Sequence, residues 1–257
     1  MSMTYPPVQP WHRLARPVAY SLGPFLIAQG RWARAKKPRL PNAPKPWSGK
    51  ISGPRPLHLL GLGDSTIAGV GVDNSMNGLV AQFAKELYRH TGRGVSWDAS
   101  GERGITTRDL LEDYLPQVDA GVPADVVLVS IGANDAKNML SPVQAATTLD
   151  AIVDRVHELF PDASIVVSSL PAFHLFRSLP QPLRAVMAGN GQAIERRARP
   201  RIEARHYAMM LPPPPQYPET FFAEDGFHPS ATGYSIWAEF AVDDLASRGI
   251  LEPLRAG

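Results

Sequence analysis

From residue 57 onward the apolar positions alternate between two rhythms. The run 57–62 (LHLLGL) is short, apolar and closed by a turn, which predicts a strand buried in a parallel sheet. Residues 77–90 then set Leu79, Val80, Phe83 and Leu87 on one helical face. Residues 95–97 predict a second strand, and 125–131 (DVVLVSI) the strongest strand in the chain. Between them Thr106 can cap a helix running through Leu110 and Leu111, with Asp109 completing a capping box. Ser141-Pro142 opens a longer helix with the stripe Val143, Ala146, Leu149, Ile152, Val153, Val156, Leu159 and Phe160. His157 lies beside that stripe and reads as a solvated or capping histidine. Residues 164–170 predict a fourth strand and 206–211 a fifth. The stretch 182–204 is helical in pattern, but Pro200 should break or kink it. Ser230 caps a last helix in which Tyr234, Trp237, Phe240 and Ala241 share a face. Strands alternating with helices predict an α/β domain, with about five parallel strands covered on both sides. Ligands in such folds sit beyond the carboxyl ends of the strands, where the strand order reverses.

Ahead of residue 57 the pattern changes. Residues 1–50 hold nine basic residues (Arg13, Arg16, Arg31, Arg34, Lys36, Lys37, Arg39, Lys45 and Lys50) and no Asp or Glu. The rest of the chain therefore carries 17 basic against 24 acidic residues, and the overall charge of +2 hides a basic arm on an acidic domain. Nucleic acid, anionic lipid or the protein's own acidic face are the partners such an arm fits. Few aromatics in the arm and a net acidic domain disfavour nucleic acid. Residues 18–28 form an apolar run, interrupted at Gly23-Pro24 and shorter than the roughly 20 residues a membrane span needs. It is expected to form a helix packed on the domain, the alternative being an interfacial segment on anionic membrane. Basic flanks on both sides and no small-residue cleavage site argue against a secretory signal. The expected location is cytoplasmic, with peripheral contact of the arm with anionic membrane. Residues 40–56, rich in Pro and Gly, read as a linker, giving an arm over 1–50 and a domain over 51–257.

Composition narrows the chemistry. The chain has no cysteine, which excludes disulfides, thiolate zinc sites and a cysteine nucleophile. Four other blocks carry candidate groups. Gly61-Leu62-Gly63-Asp64-Ser65-Thr66 follows the first strand, and a serine on such a turn is exposed with its N–H beside a reacting centre. A dinucleotide fingerprint would need glycine where Thr66 stands, and Asp64 would repel a pyrophosphate. The α/β-hydrolase elbow fails at Ile67. Ile131-Gly132-Ala133-Asn134-Asp135 ends the third strand and offers Asn134 as a fixed amide donor, or merely a turn. Asp225-Gly226-Phe227-His228 precedes the last helix, and a nucleophilic serine needs such an imidazole held by a carboxylate. A metal reading of that pair is poor, since no H-E-x-x-H or second histidine pair exists. In the block 99–107, either Gly101 or Gly104 can offer a backbone N–H to the same cleft, or both can be turn glycines.

GDS at 63–65, a glycine in the second block, GxND at 132–135 and DxxH at 225–228 together resemble the SGNH/GDSL hydrolases over roughly residues 57–245. Thr66 in place of leucine, followed by GVG at 69–71, is similar to the bacterial GDST-type branch. The resemblance implies a flavodoxin-like three-layer α/β/α sandwich and a serine esterase or lipase. By it Ser65 is the nucleophile, His228 the base and Asp225 its orienting carboxylate. The oxyanion hole is then the Ser65 N–H, the Gly104 N–H and the Asn134 side chain. Gly104 is preferred to Gly101 because Gly-x-Thr-Thr leading into a helix looks like the family's second block. No metal or organic cofactor is required.

The expected substrate is a small-molecule or lipid ester. The loop after the fourth strand carries unusual apolar bulk, making Phe173 and Phe176 candidates for an acyl site and the enzyme lysophospholipase-like. An acyltransferase or carbohydrate deacetylase on the same scaffold is the alternative, and a non-catalytic SGNH-like binding module a more distant one.

Overall fold

The computed structural model describes residues 14–255. The amino end of the arm, with His12 and Arg13, lies outside the described residues. The apolar run of the arm forms two helices, α1 (Ala15–Ser21) and α2 (Gly23–Ala35), since Gly23-Pro24 starts a new helix and does not continue the first. The domain then builds six strands: β1 (Ser48–Ile51), β2 (Leu57–Gly63), β3 (Val95–Gly101), β4 (Val126–Ser130), β5 (Ser164–Val167) and β6 (Ala208–Met210). Between and after them come α3 (Leu79–Thr91), α4 (Thr107–Asp109), α5 (Ala133–Lys137), α6 (Pro142–Leu159), α7 (Leu183–Ile202) and α8 (Ala231–Ser247).

The sheet order is β1-β3-β2-β4-β5-β6. Strands β2 to β6 pair in parallel, and only β1 runs antiparallel, along β3. The five parallel strands thus follow the flavodoxin-like order, with the switch point between β2 and β4. Alternation in the central strand shows why Val126 to Val129 are all apolar. Val127 and Val129 pack towards α6 and α7, while Val126 and Leu128 pack towards α3 and α8. Both faces are dry, and the strand's one polar side chain, Ser130 at its carboxyl end, is buried with a partner, accepting from the Ser168 hydroxyl at 3.0 Å. The result is a three-layer α/β/α sandwich.

Several expectations are corrected. Ser48–Ile51 lies inside the stretch read as a linker, yet it closes one sheet edge; its alternately exposed SGKI carries no apolar run to announce it. Helix α7 passes through Pro200 unbroken, because this proline is exposed and stands in the last turn, where only one backbone bond is lost. Val143 is 55% exposed at the start of α6, whose buried face is Pro142, Ala145, Ala146, Leu149, Ile152, Val153 and Val156. His157 is neither solvated nor a cap: its ring stacks on Tyr207 with centroids 3.6 Å apart. Phe240 is only half-buried, and the inner face of α8 is Tyr234, Trp237, Ala238, Ala241, Val242 and Leu245. Among the described residues no helix is long and apolar enough to cross a membrane.

Candidate active site

The four blocks meet at the carboxyl edge of the sheet. Ser65 follows β2 and Asn134 follows β4, the two strands that flank the switch point. The Ser65 turn is held from below: Asp64 N–H donates to the Ser130 carbonyl (3.0 Å), and Ala68 and Val70 N–H close back onto Asp64 and Ser65 carbonyls. Tyr234 of α8 donates its buried hydroxyl to the Val70 carbonyl at 2.7 Å, so the last helix also grips this turn.

His228 Nε2 lies 3.2 Å from Ser65 Oγ, and His228 Nδ1 lies 2.5 Å from Asp225 Oδ2. Asp225 Oδ1 in turn accepts the backbone N–H groups of Phe227 and His228, both at 2.9 Å. Burial pushes the Asp225 carboxyl up, but the bonds from the His228 ring and the two amides outweigh it and hold it below its ordinary value. An ionised carboxylate only accepts, so Nδ1 carries the imidazole proton and Nε2 presents a lone pair to Ser65. Residues 163 positions apart in the chain thus form one relay.

The second and third blocks are stapled together. Asn134 is 6% exposed and donates one amide hydrogen to the Ile105 carbonyl at 2.9 Å. Asp135 receives both the N–H and the hydroxyl of Thr107, at 2.9 and 2.7 Å. Thr106 and Asp109 form the capping box, which starts α4 directly after the glycine turn. The two glycines differ in use. A Cβ on Gly101 would meet Ala68 N at 2.7 Å and Asp64 O at 2.9 Å, so its bareness admits the Ser65 turn. Gly104 has φ +81° and open space where a Cβ would stand. Among the described residues no acceptor takes the Gly104 N–H.

Three contributors have no counterpart in the sequence reading. Lys137, on the next helical turn after Asn134, brings Nζ to 2.5 Å from Asn134 Oδ1. Burial lowers the Lys137 pKa, and the neighbouring Arg34 lowers it further. Asp64 is 1% exposed, and its Oδ1 accepts both the N–H and the hydroxyl of Thr66, at 3.0 and 2.9 Å. Burial raises the Asp64 pKa, against the Thr66 bonds and the nearby His228 and Lys137 that pull it down. Asn190, buried in α7, donates to the Ala136 and Leu140 carbonyls at 3.2 and 3.3 Å and so anchors the end of α5. The Asp of the GxND block and the Thr after GDS were the signals available for the staple and the Asp64 turn. Lys137 had none.

The acyl-site candidates follow β5, in and just after a short 3-10 turn over Phe173–Leu175. Phe173 is fully buried and lines a cavity of about 270 Å³ with Leu170, Ala172, Gly191, Glu195 and Arg199 among its walls. Leu170 also packs 3.5 Å from where a Cβ of Gly132 would be, which sets the cavity next to the Asn134 turn. Phe176 is 3% exposed and sits in an aromatic cluster with Tyr217, Phe222 and Phe227, the last adjoining His228.

A model of the GDSL-like Lipase/Acylhydrolase family matches residues 62–236. The chain is 28% identical over 194 residues to a GDSL-like esterase of Mycobacterium tuberculosis, a match covering 72% of this chain and 60% of that protein. Among solved structures, it resembles a lipase from a goat rumen metagenome (TM-score 0.58, 17% identity, 75% of this chain and 97% of that one). It also resembles a family 3 carbohydrate esterase from Clostridium thermocellum (TM-score 0.57, 20% identity, 79% of this chain and all of that one). At such identities the structural likeness speaks for the fold alone.

Proposed function

The chain belongs to the GDSL-like lipase/acylhydrolase family, and from that premise we propose that it is a serine ester hydrolase acting through an acyl-enzyme on Ser65. The observation that carries the reading is the continuous relay from Ser65 Oγ through His228 to Asp225. His228 Nε2 takes the hydroxyl proton as Oγ bonds to the ester carbonyl carbon. The carbonyl oxygen becomes an oxyanion, and the Ser65 N–H, the Gly104 N–H and the free hydrogen of Asn134 Nδ2 are its donors. The intermediate collapses by breaking the bond to the alkoxy oxygen, which leaves with the proton from His228. Water then repeats the two steps on the acyl-enzyme and releases the acid. Gly104 is preferred over Gly101 because its N–H is uncommitted, whereas Gly101 serves the packing of the nucleophile turn.

For the substrate we propose a lysophospholipase-like preference, with a lipid ester as the natural class. A mostly apolar cavity beside Leu170, with Phe173 in its wall, supports an acyl chain; Phe176 contributes only through the cluster behind His228. A p-nitrophenyl ester series from acetate to laurate, run on wild type and Ser65→Ala, tests both parts. Wild type should hydrolyse the series with a preference beyond acetate, and Ser65→Ala should lose at least about 10⁴-fold. Strict acetate preference would remove the lipid part and favour a deacetylase. Normal turnover in Ser65→Ala would remove the mechanism, and no turnover by wild type on any ester would favour a binding module.

A further inference from the structure

Helices α1 and α2 are fixed to the domain by one side only. Ala19 and Leu26 pack on Val186, with Met139 and Leu183 at the margin. Gln29 locks the contact by donating to the Gln181 carbonyl (2.7 Å) and accepting from the Leu183 N–H (3.2 Å). The outer side of the pair is left apolar and exposed: Leu14 57%, Tyr20 71%, Leu22 39%, Phe25 54%, Ile27 57% and Trp32 55%. These are six of the twelve large apolar side chains exposed among the described residues, crowded into 19 positions. A patch this dense on a folded chain marks a contact surface.

Its surroundings say what it contacts. Arg31, Arg34, Lys36, Lys37 and Arg39 are all exposed on and just after α2, and no acidic residue occurs before residue 50. Lys36 lies over the Trp32 ring, 4.1 Å from its centroid, the pairing of an aromatic and a snorkelling cation that suits a headgroup layer. The remainder of the chain is net acidic, so an anionic surface attracts this face and repels the others. The face also adjoins the catalytic cleft. Arg34 lies within Coulombic reach of Lys137, and Lys37 Nζ stands 3.5 Å from where a Cβ of Gly226 would be. The strand of chain after α2 is held beside the second block, where Arg103 donates to the Leu40 carbonyl.

We infer that the α1–α2 pair is a docking face for anionic lipid, which seats the mouth of the Ser65 site against a membrane surface. Phe25, Ile27 and Trp32 enter the interfacial layer, and the basic residues after them meet the headgroups. The docking itself does not depend on ester hydrolysis. Its consequence, preferential attack on esters held in that surface, rests on the function proposed above.

Flotation of the full chain with vesicles tests this. Vesicles of phosphatidylcholine alone are compared with 3:1 phosphatidylcholine:phosphatidylglycerol, at low salt and at 0.5 M NaCl. Binding should be at least about tenfold stronger to the anionic vesicles at low salt and should fall at high salt. The triple variant Phe25→Ser, Ile27→Ser, Trp32→Ser and the double variant Arg31→Glu, Lys36→Glu should both lose it. Both should keep wild-type turnover of soluble p-nitrophenyl acetate, which separates lost docking from lost folding. Equal binding to neutral and anionic vesicles, or none to either, would overturn the proposal even if a variant failed to fold. So would light scattering that found a dimer which the triple variant makes monomeric, since a second copy would then cover the face. Vesicle binding without hydrolysis of any ester would leave the docking intact and sink the esterase reading instead.

Discussion

Lys137 sets its ammonium nitrogen 2.5 Å from the side-chain oxygen of Asn134, while the amide nitrogen of the same asparagine donates to the Ile105 carbonyl. The two contacts fix which end of the amide is which, and the cation polarises it so that the remaining N–H is a stronger donor. Lys137 is therefore a positioning residue for the proposed oxyanion hole. Lys137→Met should lower kcat about tenfold with little change in KM, and Lys137→Arg should recover part of it. Its pKa is lowered by burial, so the cation is lost at lower pH than an ordinary lysine would lose it. Wild-type kcat should fall with that loss, and the methionine variant should lack the fall. A pH–rate profile of both reads the difference.

Removal of the donor itself is a larger change. Asn134→Ala should cost on the order of 10²–10³ in kcat. It should also make Lys137→Met nearly silent, because the lysine would then have no amide to orient. A double-mutant cycle on kcat measures that coupling.

Two buried aspartates of the same site should respond to pH in opposite senses. Asp225 has a depressed pKa, so its contribution to stability is present above the unfolded value and is lost as pH falls through the folded one. Asp64 has a raised pKa, so its favourable state is complete below the unfolded value and is lost as pH rises through the folded one. At pH 7, then, Asp225→Asn should melt lower than wild type and Asp64→Asn higher, and both gaps should close below the ordinary carboxylate range. Asn at 64 keeps an oxygen for the two Thr66 bonds, so the comparison isolates charge. Thermal melts from pH 3 to 8 decide it; a uniform offset at every pH would refute it.

Thr107 joins the second block to the third. Thr107→Val deletes the hydroxyl that Asp135 accepts at 2.7 Å and leaves that buried carboxylate oxygen short of a donor. The expected cost is about 2 kcal/mol of stability, which denaturant unfolding measures. Turnover should fall as well, since the Gly104 turn precedes this anchor by three residues. Thr107→Ser should restore both.

The parts of this fold that read directly from the chain are those with one dominant force. Strand β4 is buried at every position and β2 and β5 at most of theirs, so hydrophobicity alone marks them. Strand β1 is held by backbone pairing to β3 through SGKI, whose side chains carry no message, and so it read as linker. Pro200 and Val143 obey helix geometry near an end, where a rule for interiors overstates its reach. In the site, Ser65, Asn134, Asp225 and His228 could be named because each needs a partner of known type. Lys137 and Asp64 could not, because their roles come from depth and neighbours brought from elsewhere in the sheet. Gly104 is already preferred to Gly101 on the Gly-x-Thr-Thr pattern; what three dimensions add is that backbone atoms press on Gly101 and none on Gly104.

The 163-residue separation of Ser65 and His228 has a consequence in time. A ribosome adding about 5–20 residues per second makes His228 roughly 8–30 s after Ser65. Throughout that interval the nascent chain carries a serine with no base, while the α1–α2 segment proposed to dock on lipid has already been made. Ester cleavage in a timed translation would therefore begin only after the last helix has left the exit tunnel, later than any docking by α1 and α2.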